Sequence, residues 1–235
     1  MRRVGLLGGM SWQSSIEYER SINQVVAERL GGTGSADLLI RSFNFADVAA
    51  MQSAGDWQAC GDLLTEAALA LERAGAEAIA ICTNTMHHVA AQVEAQLQVP
   101  LLHIGDAVGE RILADGIGSV ALFGTRFTME MPFLKAHLES KYGLSVITPD
   151  ALDRDEIHRI IYEELVLGNF DESSRKFMIR IMREQLVAGA KGLIAGCTEI
   201  EQLVTPEHVR EQLGVAYYPT AALHARAIAD WMLAD

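Results

Sequence analysis

Short apolar runs alternate along this chain with longer segments in which apolar residues recur every three or four positions. The short runs predict buried strands, and the longer pattern predicts amphipathic helices. Strands that alternate with helices indicate parallel sheets joined by helical crossovers. The predicted strands cover residues 4–7, 37–45, 78–82, 99–104, 118–125, 144–148 and 215–218, with one more beginning at Gly192.

The helical patterns fill most of the sequence between these strands. The longest predicted helices cover residues 14–30, 55–75, 128–142, 153–167, 172–188 and 221–233. Another helix continues from the 78–82 strand to Leu97, and a short one is predicted near Glu199. Thr205 followed by Pro206 is typical of an N-cap with proline at the first helical position, so a helix is also predicted there.

The same pattern occurs twice in the chain. Residues 189–199 match residues 75–85 at an offset of 114, and residues 118–125 resemble residues 2–9 at an offset of 116. We therefore predict an α/β fold of two similar lobes, each a four-stranded, mainly parallel sheet flanked by helices. The first lobe is predicted to comprise residues 1–102 plus 217–235, the second residues 103–216, with the active site between the lobes.

Composition restricts the partners that this chain can have. Half of its 235 residues are hydrophobic, which is enough for a large core. The net charge of −12 argues against a nucleic-acid partner, which requires a basic surface. No apolar run approaches the roughly 18 residues of a membrane span, and no signal-peptide pattern opens the chain. The three cysteines show no metal-ligand spacing, so we expect reduced thiols in a cytoplasmic protein.

Polar residues follow the apolar run at residues 78–82. Thr83, Asn84 and Thr85 stand between that predicted strand and its helix, where ligands of α/β proteins commonly bind. The glycine pair Gly8-Gly9 follows the first strand but matches neither GxGxxG nor a P-loop. We therefore expect a tight turn there and no nucleotide cofactor.

Cys197 is the strongest candidate for chemistry. It occupies the position that Thr83 holds in the first copy of the pattern, and it precedes Thr198-Glu199 at a predicted helix start. A helix N-terminus lowers a thiol pKa from about 8.5, so this position predicts a catalytic thiolate at Cys197. The alternative is that Cys197 is a buried apolar thiol without a catalytic role. Cys82 points away from Thr83 by strand alternation and is expected in the core. His87 is the histidine expected to close over the site.

Several motifs together resemble the aspartate/glutamate racemase family over essentially the whole chain. They are Thr83-Asn84-Thr85-Met86-His87, Gly196-Cys197-Thr198-Glu199, the Gly8-Gly9-Met10 turn, Gly124-Thr125 followed by Thr128, and Asp155-Glu156-Ile157-His158. The resemblance implies two α/β lobes, an amino acid as the small-molecule substrate, and catalysis without pyridoxal phosphate, metal or other cofactor. Two facing cysteines would serve opposite faces of the α-carbon, and a homodimer is expected.

Thr83 stands where the first cysteine of the family would stand. In this respect the chain resembles the L-aspartate/glutamate-specific racemases, which pair a threonine with a cysteine, so Thr83 and Cys197 are the expected catalytic pair. Asn84, Thr85, Thr125, Thr128 and Thr198 are expected to donate hydrogen bonds to the substrate. Glu199 is expected to orient a neighbour or bind the amino group, and Met10 and Gln52 to line the pocket.

Two other functions fit the same residues. A decarboxylase or isomerase of the same superfamily would also keep the cysteine of the second half. An amino-acid-binding pseudoenzyme would fit the absence of the first cysteine. Deuterium incorporation at the α-carbon without carbon dioxide release separates a racemase from a decarboxylase, and ligand binding without solvent exchange identifies the pseudoenzyme.

Overall fold

A computed structural model describes residues 1–234. In chain order its elements are β1 (Val4–Gly8), α1 (Trp12–Leu30), β2 (Leu38–Ser42), α2 (Phe45–Ala54), α3 (Trp57–Arg73), β3 (Ala78–Ile81), a 3-10 helix (Thr85–Val89), α4 (Ala90–Glu94), β4 (Leu101–Leu102), α5 (Ile104–Ala114), β5 (Ser119–Gly124), α6 (Arg126–Glu130), α7 (Pro132–Tyr142), β6 (Ser145–Ile147), α8 (Ala151–Glu163), a second 3-10 helix (Leu165–Leu167), α9 (Glu172–Val187), β7 (Gly192–Gly196), α10 (Thr198–Leu203), α11 (Pro206–Gln212), β8 (Ala216–Pro219) and α12 (Thr220–Leu233).

These elements form two compact units. One comprises Met1–Ile104 together with the residues from Ala221 on, and the other comprises Gly105–Thr220. Each unit holds one parallel four-stranded sheet, in the order β2-β1-β3-β4 in the first and β6-β5-β7-β8 in the second. The predicted fold class of two similar α/β lobes is confirmed. The sequence repeat has a structural basis, because its two copies form the central strand pairs β1/β3 and β5/β7.

Strand alternation divides the core of the first unit into two layers. Ala78, Ala80 and Cys82 pack with residues of α1 and α12, whereas Ile79 and Ile81 pack with residues of α3. Both faces of β3 are buried because helices cover the sheet on each side. This is why the strand reads as a continuous apolar run in the sequence.

A single carboxylate joins two helices of the second unit. Asp106 of α5 accepts hydrogen bonds at Oδ1 from His137 Nε2 at 2.6 Å, Lys141 Nζ at 2.8 Å and Tyr142 Oη at 2.8 Å, all from α7. Burial alone would raise the pKa of Asp106, but these three hydrogen bonds outweigh it and hold the pKa well below its usual range. The carboxylate therefore stays ionised and holds α5 against α7.

Several helices differ from their predictions. Helices α2 and α5 were not predicted, and the predicted strands 37–45 and 99–104 are shortened to β2 and β4. The predicted 128–142 helix is broken, because Pro132 begins α7 as a separate helix. The helix after β3 begins as a 3-10 turn and ends at Glu94 rather than Leu97. Among the described residues, no helix is both long and apolar enough to cross a membrane.

Candidate active site

The carboxyl ends of β1 and β3 are adjacent in the first unit. The amide of Cys82 donates to the Leu7 carbonyl at 2.9 Å, which aligns the turn after β1 with the turn after β3. Gly9 has φ +82°, and a Cβ there would lie 2.3 Å from both the backbone nitrogen and the oxygen of Phe43. Only glycine fits this close approach, as the predicted tight turn requires.

Thr83 lies two residues beyond the end of β3. It is partly buried, and Asn84 and Thr85, which follow it, are buried. The Thr83 carbonyl lies 2.8 Å from Nδ1 of His87. The polar end of the strand is therefore part of the packed structure rather than an open loop.

Cys82 faces the core, as strand alternation predicts. Its side chain is 2% exposed, and burial raises the pKa of the thiol well above its usual range. A thiol in this state is a small apolar side chain and a poor proton acceptor.

We expect Cys82→Ala to have less than about a twofold effect on any reaction of this protein. The substitution should lower the free energy of unfolding by about 1 kcal/mol through the small cavity it leaves. Urea denaturation measures the second quantity, and a kinetic assay measures the first. A hundredfold fall in turnover with the fold intact would mean that the thiol contributes directly to catalysis.

Met10 and Gln52 both lie in the interior of the first unit. Met10 belongs to the apolar cluster that also contains Met86, and Gln52 Nε2 donates to the Met86 sulfur at 3.1 Å. Gln52 comes from α2, whose presence was not predicted. That helix is capped by the side chain of Asn44 and ends at Gly55 in the left-handed conformation.

Glycines end the two central strands of the second unit. Gly124 of β5 pairs with Gly196 of β7, so Thr125 and Cys197 emerge side by side. A Cβ at Gly124 would lie 3.0 Å from Thr128 Cβ, and one at Gly196 would lie 3.2 Å from Thr128 Cγ2. The two glycines therefore leave the space that the Thr128 side chain fills. The hydroxyls of Thr125 and Thr128 lie 3.2 Å apart, and Thr125 caps α6.

Cys197 and Glu199 form a thiol–carboxylate pair at the end of β7. Cys197 is the N-cap residue of α10, and its Sγ donates to Glu199 Oε2 at 3.0 Å. Glu199 is 5% exposed and Thr198 is also buried. Sequence reasoning singled out both members of this pair but did not predict the contact between them.

The predicted lowering of the Cys197 pKa is wrong. Desolvation of the thiol, the charge of Glu199 and the hydrogen bond to its carboxylate together raise the pKa of Cys197 well above the usual thiol value. The backbone amides of Glu199 and Ile200 act in the opposite direction but do not prevail. A six-residue helix supplies few oriented amides, whereas a carboxylate in direct contact carries a full charge.

Two tyrosines that no motif indicated lie near this pair. Burial, followed by the charges of Cys197 and Glu199, raises the pKa of Tyr162 well above that of a free phenol. Burial and the charges of Glu201 and Cys197 do the same to Tyr217, whose hydroxyl donates to the Val204 carbonyl at 2.9 Å. Both tyrosines stay protonated, so they provide aromatic surface rather than a base.

His87 does not close over a site. Its ring is 3% exposed, and both ring nitrogens contact backbone groups, the Thr83 carbonyl and the Ile104 amide. This differs from the prediction, because the 3-10 turn directs the ring into the interior of the first unit.

Residues 7–228 match the Asp/Glu/Hydantoin racemase family. The chain belongs to this family. It is 46% identical to a candidate Asp/Glu racemase from Yersinia pestis, over 100% of both chains and with a TM-score of 0.92. It is 33% identical to an aspartate racemase homologue from Pyrococcus horikoshii OT3, over 99% of both chains and with a TM-score of 0.84. The resemblance to racemases seen in the sequence motifs is thereby confirmed.

A more distant racemase shares the fold. Glutamate racemase from Francisella tularensis, solved with D-glutamate, is 15% identical with a TM-score of 0.67, over 98% of this chain and 80% of that one. The two-lobed racemase fold therefore persists where little sequence identity remains. In this racemase-family chain, Thr83 and Cys197 occupy corresponding ends of β3 and β7.

Proposed function

We propose that this chain is a cofactor-independent racemase that acts on L-glutamate or L-aspartate. Family membership supports the reaction class, and the preference for acidic amino acids comes from the resemblance to L-aspartate/glutamate-specific racemases. The observation that carries the proposal is the 3.0 Å contact between Cys197 Sγ and Glu199 Oε2. Because Cys197 is a protonated thiol, it can take a proton from carbon only after a neighbouring group accepts its own proton, and Glu199 is in position to do so.

The proposed reaction begins with two proton transfers. Glu199 takes the proton of the Cys197 thiol, and the resulting thiolate takes the α-proton of the L-substrate. The electron pair of the broken C–H bond is delocalised into the α-carboxylate, which leaves a planar intermediate. The Thr83 hydroxyl donates a proton to the opposite face, which gives the D-enantiomer. Glu199 then releases its proton to solvent, and solvent returns a proton to Thr83.

Hydrogen-bond donors are needed where the intermediate gathers negative charge. We assign this role to the side chains at the strand ends, because preorganised donors stabilise such charge strongly. They are Asn84, Thr85, Thr125, Thr128 and Thr198, and Met10 and Gln52 are assigned to the pocket lining. A free Cys197 fits a reducing cytoplasm, and the family resemblance supports a homodimer.

Proton NMR in deuterium oxide tests the proposal with a panel of L- and D-amino acids. We expect the α-proton signal of glutamate or aspartate to disappear and the other enantiomer to form. Release of carbon dioxide would instead identify a decarboxylase. Binding detected by calorimetry with no solvent exchange for any amino acid would identify a binding protein and refute the proposal.

The proposed bases differ, so exchange and inversion should differ in rate. A thiol ionises far more readily than an alcohol, so the face served by Cys197 has the better base. We expect deuterium uptake into recovered L-substrate to exceed conversion to the D-form. Thr83→Cys should raise inversion relative to exchange, because it supplies a second thiol.

The measurement is the α-deuterium content of each enantiomer after chiral separation. Thr83→Ser keeps a hydroxyl at the same position and serves as the matched control, with a ratio close to that of the wild type. At equilibrium the kcat/KM values for the two enantiomers must be equal, so the ratio of exchange to inversion is the informative quantity. Equal exchange and inversion in the wild type, unchanged in Thr83→Cys, would contradict the assignment of unequal bases.

A further inference from the structure

A buried histidine links the backbone of Thr83 to the start of α5. The Ile104 amide donates to Nε2 of His87 at 3.1 Å, and Nδ1 of the same ring lies 2.8 Å from the Thr83 carbonyl. Since Nε2 accepts a hydrogen bond, it carries no proton. Nδ1 therefore carries the ring hydrogen and donates it to Thr83.

A second buried histidine, His224, contacts the backbone of Leu102, two residues before Ile104. His224 Nε2 lies 2.8 Å from the Leu102 carbonyl, and its Nδ1 lies 3.0 Å from the hydroxyl of Tyr18. Leu102 is the last residue of β4, which pairs with β3 over only two residues. The two histidines thus hold the chain on both sides of residue 103, where the short strand passes into α5.

Thr83 needs such a link because the sheet does not hold it. In the described part of the chain, pairing between β1 and β3 ends at Leu7 and Ile81, and the Cys82 amide is the last group that donates to β1. The His87 ring comes from the 3-10 turn four residues later and returns to the Thr83 carbonyl. The Nδ1–H of this ring therefore supplies the hydrogen bond that fixes the Thr83 carbonyl, and the Ile104 amide determines which ring nitrogen carries the hydrogen.

We propose that His87 is a positioning residue for Thr83, acting through its Nδ1–H and the Thr83 carbonyl. This inference rests on the proposed function, in which the Thr83 hydroxyl serves one face of the substrate. Displacing a reacting group by about 1 Å can cost on the order of a hundredfold in rate. Loss of the link should therefore slow the proton transfer at Thr83 and leave the transfer at Cys197 unaffected.

Two substitutions separate the two hydrogen bonds of the ring. In His87→Asn, the amide nitrogen is as many bonds from Cα as Nδ1, so the donor to Thr83 is kept and the acceptor for Ile104 is lost. In His87→Gln, the amide oxygen is as many bonds from Cα as Nε2, so the acceptor for Ile104 is kept and the donor to Thr83 is lost. His88→Gln is the matched control, because His88 lies in the same turn and packs edge-on against Trp57.

The readout is inversion relative to α-deuterium exchange of L-substrate, with KM measured alongside. We expect His87→Gln to lower this ratio about tenfold, with KM and the exchange rate changed less than about twofold. His87→Asn and His88→Gln should keep the ratio within about twofold of the wild type. An unchanged ratio in His87→Gln, or exchange and inversion falling in parallel, would overturn the positioning role.

Nitrogen NMR of the wild type tests the link without any activity. The His87 ring, assigned through its covalent bonds to the backbone resonances of the wild type, should show a protonated Nδ1 and an unprotonated Nε2. The opposite tautomer would overturn the inference even if the variants did not fold. A wild type with neither exchange nor inversion would refute the proposed function and the positioning role with it, whereas the tautomer would still decide whether the link exists.

Discussion

Replacing Cys197 with alanine should abolish α-proton exchange with every amino acid that the wild type accepts. In the proposed reaction this thiol is the base for the L-substrate, and alanine has no group that can take a proton. Thr83 alone does not compensate, because an alcohol without an adjacent base is not ionised near neutral pH. The loss should exceed the 10²–10⁴-fold contribution typical of general-base residues, since the base itself is removed.

The measurement is α-proton exchange by NMR, together with thermal unfolding to show that the fold is intact. Cys82→Ala and Cys60→Ala are matched controls, because each removes a free thiol that is buried in the core. Both should exchange at rates close to that of the wild type. Near-normal exchange by a folded Cys197→Ala protein would end the proposed mechanism.

The sheets were predictable because their central strands are buried on both faces. Such strands are continuous apolar runs, and two copies of the same run reveal two similar units. Helices α2 and α5 were not predicted, although Asn44 and Gly55 mark the two ends of α2. Neither residue stands beside a strong amphipathic pattern, and cap residues also occur in loops.

The positions of the candidate site residues at strand ends were also predictable. Thr83 follows β3, and Thr125 and Cys197 follow β5 and β7, as the motifs indicate. Their roles stay predictions. The link from His87 to Thr83 was not predictable, because it depends on a 3-10 turn that helical spacing does not distinguish from an α-helix.

The electrostatic state of Cys197 could not be read from helix position alone. A cysteine before a helix predicts a lowered pKa, but burial of the thiol, followed by the charge of Glu199 two positions later, raises the pKa here. Whether Glu199 approaches the thiol or the substrate depends on its side-chain conformation, which spacing does not specify. The structure places Oε2 against Sγ, and this changes the expected chemistry from a preformed thiolate to a thiol that must pass its proton to a neighbour.

Glu199→Gln distinguishes two effects of the contact between Cys197 and Glu199 that would change the exchange rate in opposite directions. The carboxylate raises the pKa of Cys197, so removing its charge should lower that pKa, although desolvation still opposes ionisation. The same carboxylate is the proposed acceptor of the thiol proton, and glutamine cannot take a proton. If the acceptor role dominates, exchange at neutral pH should fall by about a hundredfold or more.

The pH dependence separates the two roles further. Without an internal acceptor, the thiolate of Glu199→Gln forms only by ionisation to solvent, so its fraction and the exchange rate should rise about tenfold per pH unit below the thiol pKa. The wild type should depend less steeply on pH, because proton transfer within the pair leaves the net charge of the pair unchanged. Ultraviolet absorbance of the thiolate measures its ionisation directly in both proteins.

Glu201→Gln is the matched control for this comparison. It removes the same charge from the first turn of α10, two residues further along, and should leave exchange within about twofold of the wild type. If Glu199→Gln exchanged as fast as the wild type at neutral pH, or faster, the carboxylate would serve only to keep the thiol protonated. The thiolate would then have to arise by another route, because the structure gives Cys197 a raised pKa and places this carboxylate in direct contact with it.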